Sequence, residues 1–489
     1  MIRREQFTRS NLFCRKYAPP AGRAVALALT AMAVWMALVW HTPTEARGTL
    51  RPLFFQVHLT NPLARLSRSD SNRILAGSVR GFREIGGPDM PVHLRVDPAI
   101  AEMLAKSHPS LRCTPVPFDD ESAMSDRQFL GISDLRGLRP YYKLLPVDGC
   151  LPWGKTGEDA VISEDGPPYP VTLGGAEAWD PGRHVTVVQT GVTAMTRAFI
   201  PAVDRSGDVL SPVRYTRKIT SRADIAVTSN EVSFLEPCTW PLKDRMLFCS
   251  PLRFFHILTE SGFDVIELTG NHNNDFGSTC NAASIDLIEK NGMTYFGGGK
   301  NTGDAERVRY VKVRNTTVAF VGFNEQGPEP AFASGTRPGA ARLTRGGFER
   351  LIKEAAAHAD VVIVTVQWAN ENDPVPWDIQ KRYFHRAAEL GADIMVSSSA
   401  HRAMGLEFYR GRFISYGLGN FLFDQMQSLN HRRGLIARYH LYRGRHVSTE
   451  LIPYMIHDWS QPRLLHGADA AGLMREVFSR STGPAFSRR

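Results

Sequence analysis

From residue 184 onward, short apolar runs alternate with longer segments whose apolar residues recur every three or four positions. The runs at 185–189, 224–228, 263–268, 318–323, 361–366 and 393–396 are too short for buried helices and rich in Val, Ile and Phe. They predict strands covered on both faces. Between them, 216–222, 253–260, 283–290, 344–358 and 377–390 carry a helical period. Strand and helix in alternation predict a layered α/β domain. Residues 412–423 and 435–442 read as antiparallel strands closing the second sheet, and 468–478 as a last helix.

Punctuation divides the chain further. Pro167, Pro168, Pro170, Gly174, Gly175 and Pro181 mark a linker. The expected divisions are a basic tail and anchor (1–46), a smaller N-terminal α/β domain (50–180), the main domain (184–455) and a C-terminal helix and tail (456–489). Residues 24–40 hold no charged residue and follow six cations. They lie at the lower end of bilayer-spanning length. The flanking charge predicts a single-pass signal anchor with a cytoplasmic N-terminus and an extracytoplasmic body. A cleaved signal peptide is the alternative, because Ala46 is small and the cations form an n-region.

Composition changes the picture in two ways. Of the net charge of +9, the first 23 residues supply more than half, through Arg3, Arg4, Arg9, Arg15, Lys16 and Arg23 against Glu5. No basic run interleaved with aromatics remains, so nucleic-acid binding is excluded as a reading, while attraction to an anionic polymer stays open. Beyond residue 46 stand Cys113, Cys150, Cys238, Cys249 and Cys280. Cys238 with Cys249 and Cys113 with Cys150 are one of three pairings among four of them. No spacing suggests zinc.

The chemistry concentrates at LTGNHNNDFG (268–277), where a buried run ends in Asn271 and His272, followed by Asp275. An amide oxygen and an imidazole side by side at a strand tip suit a metal-assisted hydrolase. An Asn-His pair after a strand is also an ordinary turn. Order along the chain adds specificity: TGVTAMTR (190–197) and ADIAVTSNE (223–231) precede it, and FGGGKN (296–301), VTVQWANE (364–371) and GADIMVSSSAHRAMGLEFYRGRFISYGLGNFLFDQ (391–425) follow. Together these six blocks resemble the CapA family, the poly-γ-glutamate and capsule synthesis proteins with a calcineurin-like metallophosphoesterase fold. The resemblance implies a metallophosphoesterase-like layered α/β sandwich over roughly 185–424.

The resemblance also marks departures. Val192 stands where the family's first strand carries an aspartate, Gln367-Trp368-Ala369 where it has His-Trp-Gly, and Ser397 to His401 where it has Gly-His-x-Pro-His. Each exchange replaces a strong ligand with a weak or non-ligating one. What is retained implies one divalent metal ion held by Glu231, His272 and His401 with Asn271 as auxiliary ligand. Asp275 would be the acid, Glu231 a ligand or base, and Arg197 a partner for an anionic substrate group. Asn230, Gln367 and Glu371 are weaker members of the same set. Two functions stand side by side: a metal-dependent hydrolase in surface-polymer synthesis, and a non-catalytic scaffold or binding subunit whose partner is an anionic surface polymer or its membrane synthase.

The front segment carries a looser resemblance. Residues 63–96 and 129–153 resemble phosphate-type periplasmic substrate-binding proteins, shortened to one lobe. Ser67, Ser69 and Ser71 would supply oxyanion donors there, and are otherwise turn formers.

Overall fold

The structure, a computed structural model, describes residues 50–151, 153–155, 172–174, 179–238, 246–370 and 373–486. Two sheets dominate it. The first has the spatial order Thr294–Phe296, Val265–Glu267, Ile225–Asn230, His184–Thr193, Arg433–Tyr442, Arg445–His457, Gln461–Leu464, with Asn420–Leu422 also paired to His184–Thr193. Its first four strands run parallel, and those from Arg433 onward are antiparallel. The second has the order Arg309–Val313, Thr316–Asn324, Val361–Gln367, Ile394–Ser398, Arg412–Ser415, Leu406–Tyr409, parallel in its middle and antiparallel at both edges.

Alternating side chains assemble these sheets into layers. Along a strand successive residues point to opposite faces. Val185, Val187, Ile225 and Val227 of the first sheet therefore meet Val318, Phe320, Val361 and Ile363 of the second in one core. The intervening Val188, Ala226 and Ile266 pack on Phe199, Ile257 and Ile285, from the helices Phe199–Ser206, Phe255–Glu260 and Ser278–Lys290. On the far side Ala319, Val321, Val362 and Val364 pack on Phe348 and Leu351 of Arg345–His358 and Phe384 of Asp378–Glu389. The result is the expected α/β layering. Each of the larger of these side chains, fully buried, contributes on the order of 1.5–3 kcal/mol.

Two expected strands sit elsewhere. Arg412–Ser415 does join the second sheet, but Arg433–Tyr442 lies in the first, antiparallel to His184–Thr193. Its long hairpin with Arg445–His457, continued by Gln461–Leu464, supplies that sheet with three further strands. The pattern missed this because residues 445–457 mix buried and half-buried positions without clean alternation.

A five-stranded sheet in the order Thr114–Pro115, His93–Val96, Phe129–Ser133, Phe54–His58, Tyr142–Leu145 forms the smaller N-terminal part. Its serines serve local structure. Ser67 caps the helix Arg68–Leu75 in a reciprocal box with Asp70, and Ser71 donates to the Arg68 carbonyl. Cys238 and Cys249 are bonded, whereas Cys113 and Cys150 are both free, so the second expected bridge does not form.

The expected anchor at 24–40 lies outside the described residues. Among the described residues no helix is long and apolar enough to cross a membrane. The expectation of a single-pass membrane protein is corrected on that finding.

Buried histidines make this core sensitive to acid. The His184 and His440 rings stack, with Nε2 and Nδ1 3.1 Å apart, and Trp153 stacks on both. Burial pushes His184 from 6.5 down to about 4 and His440 well below its ordinary value. The unfolded chain therefore binds protons first as pH falls, and stability declines between about 6.5 and about 4, by up to roughly 3 kcal/mol per site. Urea midpoints measured across this window should fall more gently in His440→Asn than in the parent chain. Identical slopes would contradict the assignment.

Candidate functional site

Open α/β sheets present their ligand sites beyond the carboxyl ends of the parallel strands. Both large sheets end in polar residues at that edge. In the first, Thr193 stands beside Asn230 and Ser229 beside Glu267. In the second, Asn324 stands beside Gln367 and Gln367 beside Ser398.

Hydrogen bonds stitch the two edges together. Thr269 Oγ1 lies 2.9 Å from Ser398 Oγ, Gln367 Nε2 donates to Asn271 Oδ1 at 2.9 Å, and Asn324 Nδ2 donates to the Thr269 carbonyl at 2.6 Å. Beneath this seam Glu267 is buried and accepts from the Thr269 backbone and hydroxyl. Burial raises its pKa to about 7 against the opposing hydrogen bonds from Ser229, Thr269 and Ser398.

Two histidines approach from loops that follow strands. His272 Nδ1 lies 2.8 Å from Asp275 Oδ2, and the same oxygen accepts the Phe248 amide at 2.7 Å. Asp275 thus fixes the ring, and its acceptor oxygen assigns the proton to Nδ1. His401 is 7% exposed and sits 2.8 Å, through Nδ1, from Asn420 Oδ1. Asn420 in turn donates to the carbonyls of His401 and His431. Burial pushes His401 down to about 4; Asn420 opposes this, while the nearby charges of His431, Arg197 and His272 add to it. The imidazole is neutral at neutral pH.

Arg197 has left-handed backbone, φ 53°. Its guanidinium pairs with Asp424, whose other oxygen accepts the Ala198 amide at 2.8 Å. The same guanidinium lies 4.8 Å from the centres of both the Phe248 and Phe423 rings. Phe248 also flanks His272, at 4.5 Å between ring centres, and Phe423 flanks His401 at 5.4 Å. Val192, Ala194 and Val232 complete this apolar wall. Val192 therefore packs on rings at the position where the family resemblance implies a carboxylate. Its neighbour Gly191 is there for space: a Cβ would run into the Gly419 carbonyl oxygen.

The expected residues can now be placed. His272, His401 and Arg197 share one electrostatic neighbourhood. Glu231 is buried, donates its amide to the Thr193 carbonyl at 3.0 Å, and lies against Gly270, one residue before Asn271. Asn230 is buried, its Nδ2 donating to the Val232 carbonyl and its Oδ1 without a partner. Gln367 is fully buried, and its Oε1 likewise has none. Asn271 and Asp275 are half-buried at the seam. Glu371 lies outside the described residues. Reasoning from sequence had not singled out Glu267, Asn420 or Asp424. Glu267 carried a signal, being a lone carboxylate inside an apolar strand run.

A divalent ion does not fit this donor set. Among the described residues no group of three or more His, Cys, Asp and Glu side chains could hold one. Each histidine has one nitrogen engaged, Asp275 is committed to His272 and Phe248, and the remaining oxygens nearby are mostly neutral amides, which are weak ligands.

Comparison with known proteins bears on this same segment. Residues 186–425 match the model of the family described as bacterial capsule synthesis protein PGA_cap. The PGA biosynthesis protein CapA of Bacillus subtilis (strain 168) is 31% identical over 203 residues, which cover 41% of this chain and 53% of that protein. The capsule biosynthesis protein CapA of Bacillus anthracis is 28% identical over 222 residues, covering 45% of this chain and 54% of that one. The chain thus spans about half the length of the curated relatives it matches. A solved structure of a hypothetical protein from Thermus thermophilus aligns with 56% of this chain and 100% of its own, at 15% identity and a TM-score of 0.37, a superposition too loose to argue from. On the family match and these relatives, the chain belongs, through residues 186–425, to the CapA family of bacterial capsule synthesis proteins.

Proposed function

We propose that this chain takes part in making a capsule or surface polymer of the poly-γ-glutamate type, and that its strand-end site holds a segment of that polymer rather than hydrolysing a phosphoester. The single observation that carries this reading is the coincidence of the family match with the seam: residues 186–425 contain every side chain from Arg197 to Asp424 described above. The partly exposed members suit such a ligand. Arg197 and His272 keep 23% and 19% of their side chains exposed, and Asn271 is half-buried beside them. Together they offer donors to carboxylates and an amide able to both donate and accept along a polyamide. A hydrolase using one divalent ion is the competing reading, and the donor set speaks against it.

Anisotropy of fluorescently labelled poly-γ-glutamate, titrated with the purified full chain, tests the reading. Saturable binding is expected, weakened about tenfold or more in His272→Ala, equivalent to roughly 1.4 kcal/mol. Asn271→Ala should weaken it in the same direction, with thermal midpoints confirming that both variants fold. Absence of binding would overturn the proposal. So would hydrolysis of a phosphoester that depends on added divalent ion and disappears in His272→Ala.

Asn420→Ala separates support from contact. Removing a fully buried amide that holds His401 and two carbonyls should cost on the order of 2–4 kcal/mol in a denaturant titration. A cost below about 0.5 kcal/mol, the range of ordinary surface changes, would show that His401 is held by something else.

A further inference from the structure

Away from the strand-end site, a cavity of about 790 Å³ opens where the N-terminal sheet meets the outer face of the Arg433–His457 hairpin and the helix Gly467–Arg480. That volume is within the range of small-ligand sites, roughly 300–1,000 Å³. Most of its wall is apolar. Leu59, Leu144 and Trp153 stand on one side, and Ile219, Leu451 and Met474 on the other.

Its polar groups are unbalanced in charge. Four cations, Lys143, Arg222, Arg438 and Arg475, line the cavity against one carboxylate, Glu450. Glu450 is already used: it stands opposite Arg438 in the hairpin register and pairs with it. His440 adds no charge, because burial holds it neutral. Lys143 is the telling member. Its ammonium bonds the Asn61 carbonyl oxygen, and among the described residues no carboxylate pairs with it. Burial pushes its pKa down to about 8, which leaves it mostly charged at neutral pH. A largely buried charge without a counter-ion is costly unless something supplies one. Arg222 and Arg475 are exposed, and among the described residues neither has an ion-pair partner.

We propose that this cavity binds an anionic amphiphile, a molecule with one apolar chain against the Leu, Ile and Trp wall and a phosphate or carboxylate head met by Lys143, Arg222 and Arg475. The apolar wall accounts for the chain and the uncompensated cations for the head; neither feature alone accounts for both. The site shares no lining residue with the strand-end seam, so its test is independent of the polymer reading.

The experiment is calorimetric titration of the full chain with dodecyl phosphate below its critical micelle concentration, beside dodecanol and inorganic phosphate. Dodecyl phosphate should bind one to one, with dodecanol and inorganic phosphate each at least about tenfold weaker, some 1.4 kcal/mol. Lys143→Gln should lower affinity for dodecyl phosphate by about tenfold while leaving dodecanol unchanged. Arg475→Gln, an exposed change that spares the core, should lower it in the same direction by a few-fold. Equal binding of dodecanol would overturn the role of the cations, and equal binding of inorganic phosphate would overturn the role of the apolar wall. No binding of dodecyl phosphate, or parental affinity in both variants, would overturn the site altogether.

Discussion

The whole arrangement depends on how closely the two large sheets approach at their carboxyl edges. Apolar side chains can fill the space between the sheets, but at the edge the backbone turns and polar groups are unavoidable. The solution is a seam in which the side chains of one sheet satisfy those of the other. Thr269 meets Ser398, Asn271 meets Gln367, and Asn324 meets the Thr269 carbonyl. Packing must leave room for such contacts, and at Gly191 and Gly270 it does so by omitting a side chain. The histidines then hang from this edge in fixed orientations, His272 by Asp275 and His401 by Asn420.

A second consequence follows from the same constraint. When protein groups saturate one another, few remain for an ion or substrate. The Arg197 guanidinium illustrates this: Asp424 takes its hydrogen bonds, while Phe248 and Phe423 take its faces. Its charge is nearly neutralised, yet part of its side chain still reaches solvent. Such an edge can hold a ligand through orientation and shape more readily than it can gather strong ligands around a metal.

Much of the layering was legible in the sequence, because strands buried on both faces write continuous apolar runs. Residues 361–366 and 394–396 are examples, and they appear as Val361–Gln367 and Ile394–Ser398. The Arg433–His457 hairpin was not legible as part of the first sheet, since pairing to His184–Thr193 crosses some 250 residues and no local pattern encodes a partner. The site was half legible. Asn271, His272 and His401 stand out as residue types, and the family order of blocks places them together. Glu267, Asn420 and Asp424 matter through what they hold, and a holding role shows only once its partners are near. Ser67 and Ser71 show the converse: as residue types they suggest an anion site, and in place they cap a helix and bond its own backbone.

The central claim is that the strand-end site is complete through protein hydrogen bonds and needs no ion between His272 and His401. Crystals of the full chain grown with millimolar manganese or zinc, and measured at the metal's absorption edge, address it directly. The account predicts no anomalous peak within bonding distance of either imidazole. An ordered ion bridging the free nitrogens of His272 and His401, with Glu231 or Asn271 completing its shell, would contradict it.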